Sequence, residues 1–227
     1  MVRAAKRDDR DRYLVETLLG LTAVTGLVDA VSFLGLGRIF TANMTGNFVL
    51  LGFALAGVQG LSVLRSTIAL VGFAAGSVFG ARLTRPQRSA SRQLLIAMGC
   101  EAALLLVAGA VMIGLTGEPI SLPAYIVIVC LAGAMGLRSA AVRRVAVPDL
   151  TTTVLTLTFA GLAADSMLAG GHGMRTGRRA VAIVAMVAGA FVGAVLLDRF
   201  SVAVALLAGA GAVTLLAIYL FARSGAE

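Results

Sequence analysis

Of the 227 residues, 59% are hydrophobic and 13% charged, with a mean hydropathy of +0.97. A soluble domain carries nearer a quarter charged residues, so this composition argues strongly against one, and it excludes a disordered chain; a polytopic membrane protein remains. The net charge of +8 rests on 18 Arg and one Lys. The arginines stand as short clusters between apolar runs: Arg82, Arg85, Arg88 and Arg92, then Arg143 and Arg144, then Arg175, Arg178 and Arg179. That is the punctuation of membrane topology, not the aromatic-interleaved basic patch of a nucleic-acid face, and no nucleic-acid partner is expected.

In chain order, Met1 to Arg12 is charged and mixed in sign. It reads as a cytoplasmic tail before a retained first helix, because the following apolar run is too long for a signal peptide. Eight apolar segments follow, at about 13–36, 43–59, 62–82, 94–116, 121–142, 150–169, 179–197 and 200–222. One span needs about 20 apolar residues. Breaks fall at Arg85-Pro86, Gly117-Glu118-Pro119, Val147-Pro148-Asp149 and Gly170-Gly171-His172-Gly173. The expected fold is all-α, one membrane domain in two halves, 13–116 and 121–222.

The halves repeat one another. Gly26, Leu27, Ala30 and Thr41 align with Gly136, Leu137, Ala140 and Thr151; Thr45 and Phe48 with Thr156 and Phe159; Arg65, Gly76 and Gly80 with Arg178, Gly189 and Gly193. Charge then tests the topology. Eight full spans with the N-terminus inside would leave ten Lys/Arg inside and eight outside. If 43–59 and 150–169 instead enter and leave on one side, fifteen lie inside and three outside (Arg38, Arg65, Arg199), with Arg138 in a helix. The second arrangement obeys the positive-inside rule better. It gives six spans plus two short broken or re-entrant segments, in two inverted three-span repeats, with both termini cytoplasmic.

The two odd segments are also the polar ones. The first carries Asn43, Thr45, Gly46 and Asn47; the second runs from Asp149 through Thr151, Thr156 and Thr158. Both read as helix starts, capped by Asn47 or Thr45 in the first and by Asp149 or Thr151 in the second. A half-helix N-terminus presents free N–H groups and partial positive charge to a cavity. The alternative is an ordinary cap at the water interface, with threonines bonding back to their own helix.

Asp29 lies deep in the first span, where an ionisable group is costly and so a functional candidate. Arg138 sits near the matching place in the second half, and the two are candidates to pair; a snorkelling Arg138 is the alternative. Glu101 is a candidate proton carrier or an interface residue. Asp165 is expected to pair with Arg175 or Arg178, and His172 to be solvated in a loop. Gly76 and Gly80, and Gly189 and Gly193, form small-xxx-small motifs for helix packing, with homo-oligomerisation through one of them as an alternative. Cys100 and Cys130 lie inside apolar runs without metal-ligand spacing, so no metal or cofactor is expected.

The strings Gly26-Leu27-Val28-Asp29-Ala30, Phe40 and Met44-Thr45-Gly46-Asn47 resemble the YoaK-type family of bacterial integral membrane proteins, a domain of unknown function. Arg143-Arg144, Val147-Pro148-Asp149, Thr151-Thr152-Thr153 and Thr156 are similar to its other hallmark. The resemblance covers most of the chain and implies a plasma-membrane protein with six spans. Two departures stand out: Arg138-Ser139 where the family pattern has Gln-Asn, and Leu157 where it has Gly between threonines. From the residues, the leading expectation is a small-solute transporter or channel with a cavity between the repeats, lined by Asp29, Asn43, Thr45, Gly46, Asn47, Arg138, Thr156 and Thr158. Its partners would be the lipid bilayer and a small polar or anionic solute. A non-catalytic assembly or sensor subunit is the alternative, and no Ser/His/Asp order or His pair supports an enzyme.

Overall fold

The structure is a computed structural model and describes residues 2–87, 89–113, 122–145, 155–165 and 176–224. These residues form eight helices: α1 Val2–Gly35, α2 Met44–Leu55, α3 Val63–Thr84, α4 Ala90–Ile113, α5 Leu122–Val145, α6 Leu155–Ala164, α7 Thr176–Arg199 and α8 Val202–Ser224. Six are long and apolar enough to cross a bilayer, the span of α1 starting at Arg12; α2 and α6 are shorter apolar helices. At about 1.5 Å per residue, the 12 residues of α2 and 10 of α6 reach only about half of a hydrocarbon core of about 30 Å. Both are shorter than the apolar segments 43–59 and 150–169 that contain them. α1 runs unbroken from Val2 through the charged N-terminal segment.

Glycine decides how the long helices meet. Gly76 and Gly80 of α3 lie against the α5 backbone at Gly133 and Leu137; Gly189 and Gly193 of α7 lie against the α1 backbone at Ala23 and Leu27. A Cβ at Gly80 would come within 2.6 Å of the Leu137 carbonyl oxygen, and one at Gly193 within 2.7 Å of that of Leu27. The partner helices reply in kind. Gly26 faces Met186 and Ala190 of α7, and Gly136 faces Phe73 and Ser77 of α3. The ascending order of these contacts makes α3 parallel to α5 and α7 parallel to α1. Without side chains between them the backbones approach closely, as small-xxx-small pairs allow. The glycines are thus consumed inside the chain.

Larger side chains join the rest. α4 packs antiparallel on α8, where Leu207 lies against Gly109 and Leu105 against Gly209, and α8 packs antiparallel on α1 through Leu216 and Gly20. α1 and α5 are the most buried spans, α3 and α7 the least. Outward faces carry Val71, Phe79, Val184 and Phe191, each more than half exposed, as a lipid-facing surface requires.

α1 ends in a Schellman turn: Gly37 has φ +93°, and the Arg38 N–H donates to the Phe33 carbonyl at 3.0 Å. The chain then folds back along α1. Phe40 stacks on Phe33 with centroids 4.9 Å apart, which brings the start of α2 down beside Asp29.

Candidate functional site

The polar string ahead of α2 builds its own support. Asn43 is the N-cap, its side-chain oxygen accepting the Gly46 N–H at 3.2 Å; the cap is therefore neither Asn47 nor Thr45. Asn47, fully buried, turns back instead: its Oδ1 accepts the Phe40 N–H at 2.9 Å, and its Nδ2 donates to the Phe40 carbonyl at 2.5 Å. Gly46 leaves room for the Phe40 ring, which a Cβ would approach within 2.9 Å. Asn47→Ala strips the N–H and the carbonyl of Phe40, both part-buried, of their partner. It is expected to lower stability by about 2 kcal/mol or more, read as a fall in the unfolding midpoint in detergent; an unchanged midpoint would refute this role.

Asp29 anchors the same turn. Its Oδ1 accepts the N–H groups of Thr41 at 3.0 Å and Ala42 at 2.8 Å. Its Oδ2 is buried with no hydrogen-bond partner among the described residues. The carboxylate faces a cavity of about 380 Å³, lined by Thr25 and Asp29 of α1, Ala42 and Asn43 before α2, Leu155, Thr156 and Phe159 of α6, and Ile183 and Met186 of α7. The starts of both short helices therefore face one space. A second cavity of about 840 Å³ adjoins it at Ala42 and Asn43. Met44 and Thr45, then Phe73, Ser77, Val78 and Ala81 of α3, and Ser139, Ala140, Val142, Arg143 and Arg144 of α5 complete its lining.

Arg138 lines neither cavity and does not pair with Asp29. It is buried behind the smaller one, where Nη1 donates to Glu101 Oε1 at 2.6 Å and Nη2 to Thr25 Oγ1 at 2.5 Å. The Thr25 hydroxyl donates in turn to the Leu21 carbonyl. Thus α4, α5 and α1 meet at one buried ion pair, and Glu101 is an interior group rather than an interface one. Thr158 is buried on α6 and lines neither cavity. Asp165 pairs with Arg179 at 2.5 Å, not with Arg178. Asp149, Thr151, Arg175 and His172 lie outside the described residues. Among the described residues no cluster of His, Cys, Asp or Glu has the makings of a metal site.

Four residues escaped sequence reasoning as site residues: Thr25, Ser77, Ser139 and, as the partner of Arg138, Glu101. The last had a signal. Glu101 and Arg138 are opposite charges embedded in two apolar runs, and each is costly there unless paired.

Six apolar helices of spanning length around buried charges define an integral membrane protein. The chain matches the family described as "Protein of unknown function (DUF1275)" over residues 17–219, and it belongs to that family. It is 34% identical over 152 residues to the UPF0700 transmembrane protein YoaK of Bacillus subtilis (strain 168), an alignment covering 66% of each chain. The chain thus spans just under two thirds of that relative's length. No solved structure matches.

Proposed function

We propose that the chain is a small-solute transporter or channel of the bacterial plasma membrane, not an enzyme, with its pathway between two inverted three-span repeats. The observation that carries this reading is the cavity onto which both short helices open, with the free oxygen of Asp29 in its wall. Half-helices with N-termini at a midplane cavity are a recurrent transporter device. Irregular backbone at that depth persists where protein or a hydrated cavity satisfies it, as Asp29 and Asn47 do for residues 40–42.

The helix pairing supports the repeat. Exchanging α1 to α4 for α5 to α8 maps the α1–α7 contact onto α5–α3, α2–α3 onto α6–α7, and α4–α5 onto α8–α1. The glycine contacts exchange as well, Gly26 on Met186 for Gly136 on Phe73 and Gly189 on Ala23 for Gly76 on Gly133. In this reading α2 re-enters from the outside and α6 from the cytoplasm, and both termini are cytoplasmic. The alternative, a docking subunit using the glycine motifs, loses support because those glycines already face partners within the chain.

Impermeant thiol labelling in intact cells tests the architecture. With Cys100 and Cys130 replaced, a cysteine at Gly60 is expected to label from outside and one at Ser89 to be protected; the reverse pattern would give eight full spans and end the half-helix argument. Transport itself is tested by flux of small neutral, cationic and anionic solutes into proteoliposomes, and absence of flux for the whole panel would defeat it.

A further inference from the structure

The two cavities differ in charge, and the difference points to a solute class. The larger is lined by Arg143 and Arg144, by Thr45, Ser77 and Ser139, and, among the described residues, by no Asp or Glu. The start of α2 adds the positive end of a helix dipole. Anions gain from the arginines and from the helix end; cations gain from neither. Ala42 and Asn43 line both cavities, and Asp29 lines the smaller one beyond them.

Asp29 is 4% exposed, and only one of its two oxygens is engaged among the described residues. Each helix N-terminus is worth about half a positive charge, so α2 and α6 together supply about one. An ionised Asp29 cancels this and leaves no net charge there to hold an anion. A protonated Asp29 leaves about one positive charge, the complement of a single monovalent anion. Among the described residues, and apart from Arg143 and Arg144 of the adjoining cavity, these charged groups on the helices packed around it are engaged. Arg138 from α5 is bound to Glu101 from α4. Arg179 of α7 is bound to Asp165 beyond α6. Tyr219 of α8 donates to Glu16 of α1, some 20 Å along the helix from Asp29. The described α6 and α7 residues of the cavity wall are uncharged.

We propose that the adjoining cavities carry a small monovalent anion together with one proton, held on the free oxygen of Asp29. This rests on the transporter reading. The proton comes from water on one side as an O–H bond on Oδ2 and returns to water on the other; no bond within the anion changes. One anion and one proton move together, so the cycle is electroneutral.

The test uses the purified full chain in vesicles of phosphatidylcholine, with and without phosphatidylglycerol, enclosing a pH-sensitive dye. Inward gradients of sodium nitrate or sodium chloride are imposed, with sodium sulfate, methylammonium and glycerol as comparison solutes. The expected result is luminal acidification with nitrate or chloride, at a rate unaffected by a potassium diffusion potential. Asp29→Asn, which keeps an acceptor for Thr41 and Ala42, abolishes acidification, and Asp29→Glu retains it. Arg143→Gln with Arg144→Gln raises the half-saturating anion concentration about tenfold, as expected for lost charge-assisted contacts, in both lipid mixtures. Acidification that persists in Asp29→Asn overturns the proposal, and anion flux with no proton in the unaltered protein overturns it without help from any variant. Flux of glycerol or methylammonium alone overturns it and leaves the transporter reading standing; no flux of any solute overturns both. An arginine effect confined to phosphatidylglycerol vesicles would mean that the arginines hold a lipid phosphate, and the anion path would fall.

Discussion

Arg138→Ala is expected to cost about 3–5 kcal/mol, the range for removing one partner of a buried ion pair. The guanidinium is 1% exposed and ties α5 to Glu101 of α4 and to Thr25 of α1. Its loss strands a fully buried carboxylate whose second oxygen already has no hydrogen-bond partner among the described residues. The charge left behind, more than the lost attraction, dominates the effect. Arg138→Met combined with Glu101→Leu should therefore recover most of the loss, because apolar replacement of both partners is often neutral or better. Unfolding free energies in bilayer-like micelles for the single and double variants decide the matter. A single variant within about 1 kcal/mol of the unaltered protein, or a double variant worse than the single, would show that the pair does not hold the three helices together.

Gly189→Leu should prevent the native fold. A Cβ there would collide with the Ala23 carbonyl of α1, and backbone cannot step aside as a flexible side chain can. Relieving the clash means separating α1 from α7 along their shared length, which breaks the neighbouring contact of Gly26 with Met186 as well. Overpacking of an ordinary core costs about 1–3 kcal/mol; a backbone-on-backbone contact has less room to adjust and exceeds that. Gly99→Ala is the matched control, since nothing lies within 4 Å of a Cβ there, and alanine raises helix propensity by about 1 kcal/mol. Yield and monodispersity on size exclusion give the readout. A well-folded Gly189→Leu protein would mean that the two helices do not touch as described.

The sequence made the helical membrane class legible because hydropathy, run length and arginine spacing are all local properties. The special character of α2 and α6 was legible too, since polar residues concentrate at their starts and the charge count disfavours their spanning. Pairings were not. Glu101 and Arg138 are 37 positions apart, and nothing local states which face of α4 meets which face of α5. The same limit misassigned the N-cap: Asn43 and Asn47 stand one turn apart with equal capping ability, and the return of the chain from Gly37 through Phe40, a tertiary matter, decides between them. Asp29 was singled out by the expense of a carboxylate at that depth, but its amide partners at Thr41 and Ala42 became apparent only once the turn after α1 was placed.

The crossed pairing of the long helices also governs when the chain can finish folding. The glycine face of α1 is made early, yet its partner around Met186 follows about 160 residues later. At synthesis rates of about 5–20 residues per second, α1 waits roughly 8–32 s with that face unmatched, while α3 meets α5 much sooner. Assembly in the membrane therefore begins with α3, α4 and α5 and closes only when α7 and then α8 arrive. A truncation after α6 would leave α1 without its main neighbour, and such a fragment should be recognised and degraded.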